Sequence, residues 1–156
     1  MTIKLIQDLT YTSKLHIFSL LQQLTDAPII DIQQYNNILT DINNNKYHNI
    51  YIYIEDGKPV GMITLLIEQK LIHGGKCVAH IEDLVVDKSY NGQGIATKLI
   101  QHVITIAKNN NCYKIILDCK RELSSFYEKN GFQIKGEAAS LRLYPLNPLY
   151  TLEIRD

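Results

Sequence analysis

Hydrophobic residues in the first third of the chain recur at helical spacing. One run extends from Leu15 to Leu24, and a second follows Asp31, a residue type that is well suited to cap the start of a helix. The polar run at 43–45 ends the second pattern. The spacing therefore predicts two helices before residue 46.

The pattern then changes to apolar and β-branched runs, which are typical of strands. The runs at 50–54 and 60–67 are joined through Asp56 and Gly57, which predicts a hairpin. A polar loop at 70–76 precedes a further predicted strand at 78–86. The middle of the chain is therefore expected to form three neighbouring strands.

Helix and strand patterns alternate again in the last half of the chain. Residues 94–108 place Ile95, Leu99 and Val103 on one helical face. A nearly continuous apolar run predicts a buried strand at 113–119, and a short helix is predicted at 122–130. The remaining expectations are strands at 132–136 and 140–144 and a strand or arm at 149–154. With no repeat or linker in between, residues 1–156 are expected to form a single domain of the α/β (α+β) class.

Composition and charge narrow the partners. The 156 residues carry a formal net charge of zero, which argues against a nucleic acid or an acidic membrane as partner. No stretch is long and apolar enough to be a signal peptide or to span a membrane. The three cysteines form no Cys-x-x-Cys pair, so no metal site is expected, and Cys112 and Cys119 are expected to be small buried residues. Free thiols favour a cytoplasmic protein.

The segment from His80 to Thr97 carries the clearest chemical pattern. A strand holds Glu82 and Asp83 in its middle, a turn with Gly92 and Gly94 follows, and a helix begins at once. Backbone N–H groups at the start of a helix favour an anionic group such as a pyrophosphate. The turn lacks the Lys-Ser/Thr ending of a P-loop, and an ordinary structural turn stays an alternative.

A second block makes the pattern more specific. It comprises the run 112–119, the pair Phe126-Tyr127 and the pair Gly131-Phe132. The order of strand, glycine turn, helix, strand, Phe-Tyr and Gly-Phe resembles the GNAT N-acetyltransferases, over roughly residues 15–144. The residues at 80–83, 112–119 and 126–129 narrow the resemblance to members that acetylate glucosamine 6-phosphate.

This resemblance implies a fold and a reaction. The expected GNAT fold has a central mixed, mostly antiparallel twisted sheet flanked by helices, with acetyl-CoA in the splay between the fourth and fifth strands. The implied reaction transfers acetyl from acetyl-CoA directly to the amine of D-glucosamine 6-phosphate in a ternary complex, a step of UDP-N-acetylglucosamine biosynthesis. Acetyl-CoA is the co-substrate, and no metal is expected.

The resemblance also implies catalytic roles. Tyr127 would protonate the leaving thiolate, and the N–H of Leu84, freed by a strand bulge, would polarise the thioester carbonyl. Asp118 would orient and help deprotonate the amine, while Glu82 and Asp83 would hold the amine or the sugar hydroxyls. A carboxylate within an apolar run such as that of Asp118 needs a partner. Each role has a structural alternative. Tyr127 would serve only packing, Asp118 would make only a structural hydrogen bond, and Glu82 and Asp83 would form a solvated acidic pair.

Substrate contacts implied by the resemblance are more widely spread. Lys114 and Arg142 would hold the phosphate sugar, with Arg142 reaching the active site of the partner in a homodimer. The implied set is Thr25, Lys70, Leu71, Ile72, His73, Glu82, Asp83, Leu84, Tyr113, Lys114, Asp118 and Arg142.

Cofactor contacts implied by the resemblance follow the chain from strand to helix. The backbone of three strand residues would hold the pantetheine, and the turn would hold the pyrophosphate. Three helix residues would lie near the sulfur and the far end of the cofactor. The set is Leu84, Val85, Val86, Asn91, Gly92, Gln93, Gly94, Ile95, Ala96, Thr97, Tyr127, Glu128 and Lys129. Asn91 stands where GNAT members begin this turn with Gln or Arg.

Two rival functions remain open from the sequence. One is an acetyltransferase for another amine, such as a polyamine or a protein N-terminus. The other is a non-catalytic module that binds acetyl-CoA. Lys114 and Arg142 disfavour a polyamine, and the presence of Tyr127, Asp118 and Glu82 disfavours the non-catalytic module.

Overall fold

A five-stranded sheet forms the centre of the protein. In a computed structural model, which describes residues 2–9 and 11–135, the strands are β1 (Thr2–Leu5), β2 (His48–Glu55), β3 (Lys58–Gln69), β4 (Cys77–Val86) and β5 (Cys112–Ile116). They lie side by side in that order. The first four pair antiparallel and β5 joins β4 in parallel, which confirms the mixed, mostly antiparallel sheet.

Four α-helices accompany this sheet within the described chain. They are α1 (Tyr11–Leu21), α2 (Ile32–Asn43), α3 (Ile95–Asn109) and α4 (Ser124–Lys129), and single 3-10 turns occur at Ile6–Asp8, Lys88–Tyr90 and Arg121–Leu123. The predicted cap of α2 is confirmed, because the Asp31 side chain accepts a hydrogen bond from the backbone N–H of Gln34 at 2.9 Å. Leu24 lies beyond the end of α1 and is 43% exposed, so its spacing did not mark a buried helical position.

The helices cover both faces of the sheet. On one face α3 and Tyr127 of α4 pack against buried residues such as Ile63, Leu65 and Ala79. On the other face Ile17 and Leu20 of α1 and Tyr35 and Leu39 of α2 pack against Ile52, Met62 and Val85. Each face therefore has its own apolar core, as expected for a sheet flanked by helices.

The parallel pair requires a crossover, and α3 supplies it. A Cβ at Gly61 of β3 would lie 3.0 Å from Ile95 and 3.1 Å from Leu99, so the glycine lets α3 approach the sheet closely. This approach sets the start of α3 next to the end of β4. The glycine turn between them therefore faces the same sheet edge as the carboxyl ends of β4 and β5.

The predicted hairpin is confirmed, because Asp56 and Gly57, both with positive φ, join β2 to β3.

Two strands at the edges of the sheet were not predicted correctly. The strand β1 was missed because it spans only 4 residues. The predicted buried strand at 113–119 was wrong in length and burial: β5 ends at Ile116, which is 39% exposed. β5 forms the edge of the sheet within the described residues, and its pairing with β4 stops at Ile116.

Several expectations concern the C-terminal part of the chain. Gly131 ends α4 with a φ of 93° as predicted, but residues 132–135 form no strand. Position 136 and the predicted elements at 140–144 and 149–154 lie outside the described residues. Across 2–9 and 11–135, no helix has both the length and the apolar character needed to cross a membrane.

Candidate active site

A cavity opens where β4 and β5 separate. The last register pair between them joins His80 to Ile116, and beyond it the strands diverge. The space between them, here called the β4–β5 cavity, has a volume of about 420 Å³. It is lined by Leu24, Thr25, Ile81, Glu82, Asp83, Leu84, Leu117, Asp118, Cys119, Lys120, Leu123 and Tyr127.

A bulge in β4 shapes one wall of this cavity. Thr64 pairs with Glu82 and Met62 pairs with Val85, so β4 advances by one residue more than β3. Asp83, at the bulge, has a φ of 50°. The irregularity lets Glu82 and Asp83, which would alternate on a regular strand, line the same cavity. The structure thus has the bulge that the family resemblance implied.

Three carboxylates make the cavity acidic. Glu82, Asp83 and Asp118 all line it. The pKa of Glu82 is raised, first by partial loss of hydration and then by the negative charge of Asp83. His80 opposes this shift, and Asp118 adds the weakest contribution in the raising direction. A carboxyl group whose pKa is raised in this way accepts a proton more readily than an ordinary glutamate.

Tyr127 is a buried aromatic residue in the wall of the cavity. Its side chain is 6% exposed and its ring packs edge-on against Phe126 and Phe132, with centroid distances of 5.1 and 5.8 Å. Burial, together with the neighbouring Cys119, raises the pKa of the Tyr127 hydroxyl. The phenol therefore keeps its proton at neutral pH and can donate it to an acceptor in the cavity.

A continuous groove leads from this cavity to the glycine turn. A bridging cavity of about 230 Å³ shares Leu84 and Tyr127 with the β4–β5 cavity. It shares Val86, Asn91 and other residues with a turn cavity of about 300 Å³. The turn cavity is lined by Val86, Tyr90, Asn91, Gly92, Gly94, Ile95, Ala96, Thr97 and Phe126.

The glycine turn has the features of an anion cradle. Gly92 and Gly94 have φ values of 77° and 74°, and no atom lies within 4 Å of a Cβ built on either one. Gly94 caps α3 without a side-chain hydrogen bond, which leaves the first N–H groups of the helix available to a ligand. These residues fit an extended phosphate-containing cofactor.

Some predicted cofactor residues do not face this groove. The Val85 side chain is buried in the core under α1 and α2, so that only its backbone could serve a ligand. Gln93, Glu128 and Lys129 line none of the three cavities. The structure brings the remaining predicted cofactor residues together along one path.

The predicted substrate residues divide into two groups. Thr25, Glu82, Asp83, Leu84 and Asp118 line the β4–β5 cavity. The loop residues Lys70, Leu71, Ile72 and His73 and the β5 residues Tyr113 and Lys114 do not line it. Arg142 lies outside the described residues.

Three residues of the second group, His73, Tyr113 and Lys114, form a separate cluster at the other end of β5. The rings of His73 and Tyr113 lie 4.2 Å apart, and the Lys114 Nζ lies 5.6 Å from the centroid of the Tyr113 ring. Lys70 pairs with Glu68, whose pKa is lowered by Lys70 and by His80. Leu71 is fully exposed. A single chain therefore does not bring this cluster to its own β4–β5 cavity.

The sequence pattern predicted no role for Thr64. Thr64 is buried opposite the bulge, and its Oγ1 donates a hydrogen bond to Asp83 Oδ2 at 3.2 Å. Its one available signal was a hydroxyl in an otherwise apolar run.

Contrary to expectation, Cys112 and Cys119 are half-buried rather than buried, and Cys119 lines the β4–β5 cavity. Burial raises the pKa of the Cys112 thiol. Among the described residues, no group of three His, Cys, Asp or Glu side chains could hold a metal ion.

Comparison with protein families gives a match over most of the chain. Residues 15–132 match the acetyltransferase (GNAT) family. A glucosamine 6-phosphate N-acetyltransferase of Trypanosoma brucei brucei is 38% identical over 116 residues, covering 73% of this chain and 78% of that protein. The corresponding protein of Dictyostelium discoideum is 35% identical over 127 residues, covering 79% and 80%.

Solved structures show the same architecture. The glucosamine-6-phosphate N-acetyltransferase of Arabidopsis thaliana aligns with a TM-score of 0.84 at 29% identity, covering 92% of this chain and 100% of that one. An acetyltransferase of Trypanosoma brucei aligns with a TM-score of 0.82 at 33% identity, covering 91% and 99%. The similarity thus extends over the sheet and both groups of helices.

Proposed function

The chain belongs to the GNAT family of acetyltransferases, and from this premise we propose that it transfers acetyl from acetyl-CoA to the amine of D-glucosamine 6-phosphate. The products are N-acetyl-D-glucosamine 6-phosphate and CoA. Support for this acceptor comes from relatives that carry this activity in their names, at 33–38% identity for three of them. Residues 1–156 act as one catalytic domain in this proposal.

The observation that carries the proposal is the grouping of Glu82, Asp83, Asp118 and Tyr127 around the cavity between β4 and β5. Amine acetylation needs a group that takes a proton from the ammonium and a group that gives one to the leaving thiolate. Carboxylates supply the first chemistry and a protonated phenol the second. These opposite proton-transfer groups line one continuous space that is large enough for a sugar.

The carboxylates would prepare the amine. An ammonium group entering the cavity meets the negative charges of Asp118 and Glu82, which offset its loss of hydration. Asp118 orients the nitrogen, and Glu82, with its raised pKa, is suited to receive a proton directly or through water. Asp83 accepts hydrogen bonds from the sugar hydroxyls.

The bulge would serve the reacting carbonyl group. Asp83 and Leu84 have no register partner on β3, and β4 has left β5 before this point. The Leu84 N–H is therefore suited to donate a hydrogen bond to the thioester oxygen, where negative charge develops. Tyr127 then donates a proton to the sulfur of the departing CoA.

Acetyl-CoA supplies the activated acetyl thioester when it is bound. The groove from Tyr127 past Leu84 and Val86 to the glycine turn fits it by length and by chemistry. Backbone groups of Leu84, Val85 and Val86 would hold the pantetheine. The N–H groups of the Gly92–Thr97 turn would hold the pyrophosphate.

We further propose a homodimer in which the phosphate of the sugar is held across the interface. Lys70–His73, Tyr113 and Lys114 do not line the cavity of their own chain, which supports a role at the cavity of a second copy. Arg142, outside the described residues, would join them by the family resemblance. Three free thiols, Cys77, Cys112 and Cys119, favour the cytoplasm as the compartment.

The experiment that tests the function measures release of the CoA thiol from acetyl-CoA. Glucosamine 6-phosphate, unphosphorylated glucosamine and spermidine serve as parallel acceptors. The proposal predicts release that strongly favours the phosphosugar. Equal release with unphosphorylated glucosamine would contradict a contact with the phosphate. Faster release with spermidine would mean that the acceptor is a polyamine. Binding of acetyl-CoA without CoA release in the presence of any amine would favour the non-catalytic module.

The dimer has its own test. Light scattering on a sizing column should give twice the mass of one chain. Mixing the variants Tyr127→Phe and Arg142→Ala should then restore activity, because one of the two shared sites would contain only native residues. A monomer with full activity would contradict the shared site.

A further inference from the structure

Thr64 is a polar residue in the otherwise apolar interior of the sheet. It is 3% exposed, and it is the one buried non-aromatic polar residue in the part of the chain that the structure describes. Met62, two residues before it and therefore on the same face of β3, is a buried apolar residue of the core formed with α1 and α2. A hydroxyl in such surroundings is unfavourable unless it is hydrogen-bonded, so its partner is informative.

The partner is a carboxylate of the active-site cavity. Thr64 Oγ1 donates to Asp83 Oδ2 at 3.2 Å, and Asp83 lines the β4–β5 cavity. Thr64 pairs in register with Glu82, the residue just before Asp83. The hydrogen bond therefore joins the regular strand to the bulge on the side where the register changes.

The bulge needs such support. Asp83 has a φ of 50°, a conformation that side-chain-bearing residues seldom adopt and that persists when its surroundings hold it. The negative charge of the adjacent Glu82 repels the Asp83 carboxylate. A hydrogen bond to an ionised acceptor is among the stronger ones, and it fixes the carboxylate against this repulsion.

We propose that Thr64 is a positioning residue for the acceptor amine: its hydroxyl holds Asp83 and thereby the bulge that directs Glu82 into the cavity. This inference rests on the proposed function, because it assigns Thr64 a role in that reaction. Thr64 acts through Asp83 and touches no reacting atom. Its influence should fall on the acceptor, because the acetyl-CoA groove beyond Val86 does not include it.

The test compares three variants on β3. Thr64→Val keeps the shape and removes the hydroxyl, Thr64→Ser keeps the hydroxyl, and Ile63→Val removes a methylene from a buried neighbour that lines no cavity described above. We expect Thr64→Val to lower kcat/KM for glucosamine 6-phosphate about tenfold, as for loss of a hydrogen bond to a charged group. The KM for acetyl-CoA should stay within about twofold, and the melting temperature should fall no more than in Ile63→Val, because the added methyl group suits an apolar interior and offsets part of the lost hydrogen bond.

The controls separate positioning from general packing. Thr64→Ser should keep kcat/KM within about threefold of the native value, whereas Ile63→Val should lower the melting temperature with native kinetics. In the background of Asp83→Ala, which has no acceptor for the Thr64 hydroxyl, adding Thr64→Val should cause little further loss, because the two residues act as one unit.

Native kinetics in Thr64→Val would overturn the inference. So would equal losses in Thr64→Val and Ile63→Val, or a rise in the KM of both substrates, since either result indicates a purely structural role. A native protein that acetylates a different amine would instead overturn the proposed acceptor, and the same variants measured with that amine would decide the role of Thr64. A native protein that acetylates no amine would overturn both.

Discussion

Strand β4 has two halves: a paired half, in which it is bonded to β3 and β5, and a splayed half, in which it has separated from β5. The two halves differ in backbone pairing, in burial and in the side chains that surround them. In the paired half, residues 77–80 of β4 have partners on both β3 and β5, and Val78 and Ala79 are 1% and 0% exposed. In the splayed half, residues 81–86 have no partner on β5, and the bulge also leaves Asp83 and Leu84 without a register partner on β3. The carboxylates and Tyr127 surround the splayed half only.

The contrast shows how a sheet provides a binding site. A strand with partners on both sides has no free backbone N–H or C=O groups, so it can contribute only packing. Where the neighbouring strand departs, backbone groups become available to a ligand, and the gap gives side chains room to converge. The same strand thus contributes stability in one half and chemistry in the other.

The largest effect should come from removing the proton donor of the splayed half. Tyr127→Phe keeps the packing against Phe126 and Phe132 but removes the hydroxyl, so kcat should fall about 100-fold. The affinity for acetyl-CoA, measured by calorimetry, should be unchanged. Unaltered turnover would remove Tyr127 from the mechanism.

A change in the paired half should have the opposite profile. Val78→Ala removes two buried methyl groups from a fully packed site and should lower the free energy of unfolding by about 2 kcal/mol. Urea unfolding measures this loss, and kcat at a temperature well below unfolding should stay native. A large loss of kcat without loss of stability would break the division between the halves.

Glu82→Gln should change both the activity and the stability of the protein, each to a smaller extent. Because Asp118 can still attract the amine, we expect kcat/KM for the acceptor to fall about tenfold. In the native protein kcat/KM should fall as the pH drops through the raised pKa of Glu82, and this limb should flatten in the variant.

The stability of the same variant has a defined pH dependence. A raised pKa in the folded state means that the Glu82 charge destabilises the fold at higher pH, and that this penalty disappears as the pH falls below the ordinary glutamate pKa. Glu82→Gln should therefore melt above the native protein at about pH 8 and not at about pH 4. A constant difference across this range would contradict the cause given for the pKa shift.

The smallest effect is expected for Glu68→Gln, next to the paired half. The hydrogen bonds of Glu68 to Lys70 and His80 lower its pKa, so its contribution to stability is present above the ordinary glutamate pKa and is lost as the pH falls. Exposed ion pairs are screened by water. The melting temperature at neutral pH should hardly change, and a clear drop would indicate that this pair supports the paired half.

Local signals predicted the elements that local chemistry determines. Asp31 marked the start of α2, Asp56-Gly57 marked the hairpin, and apolar, β-branched runs marked β2 to β4. The end of β5 could not be predicted in this way, because residues 117–119 are as apolar as those before them and only the departure from β4 ends the strand.

The site was predictable to a different degree. The family resemblance indicated the bulge and the grouping of Glu82, Asp83, Asp118 and Tyr127, whereas adjacency in sequence alone would have put Glu82 and Asp83 on opposite faces. The contact between Thr64 and Asp83 joins residues 19 positions apart and depends on the register of β3 and β4. The sequence pattern contained no sign of it beyond one hydroxyl.

The central claim is that acetyl transfer takes place at the splayed half, and an amide-resolved NMR titration tests it most directly. Addition of CoA, which carries no acetyl group to transfer, should shift the amides of Leu84, Val86 and the Gly92–Thr97 turn, and glucosamine 6-phosphate should then shift those of Thr25 and Asp118. The amides of Val78 and Ala79 should stay in place. Shifts concentrated at the paired half, with Leu84 unaffected, would contradict the account.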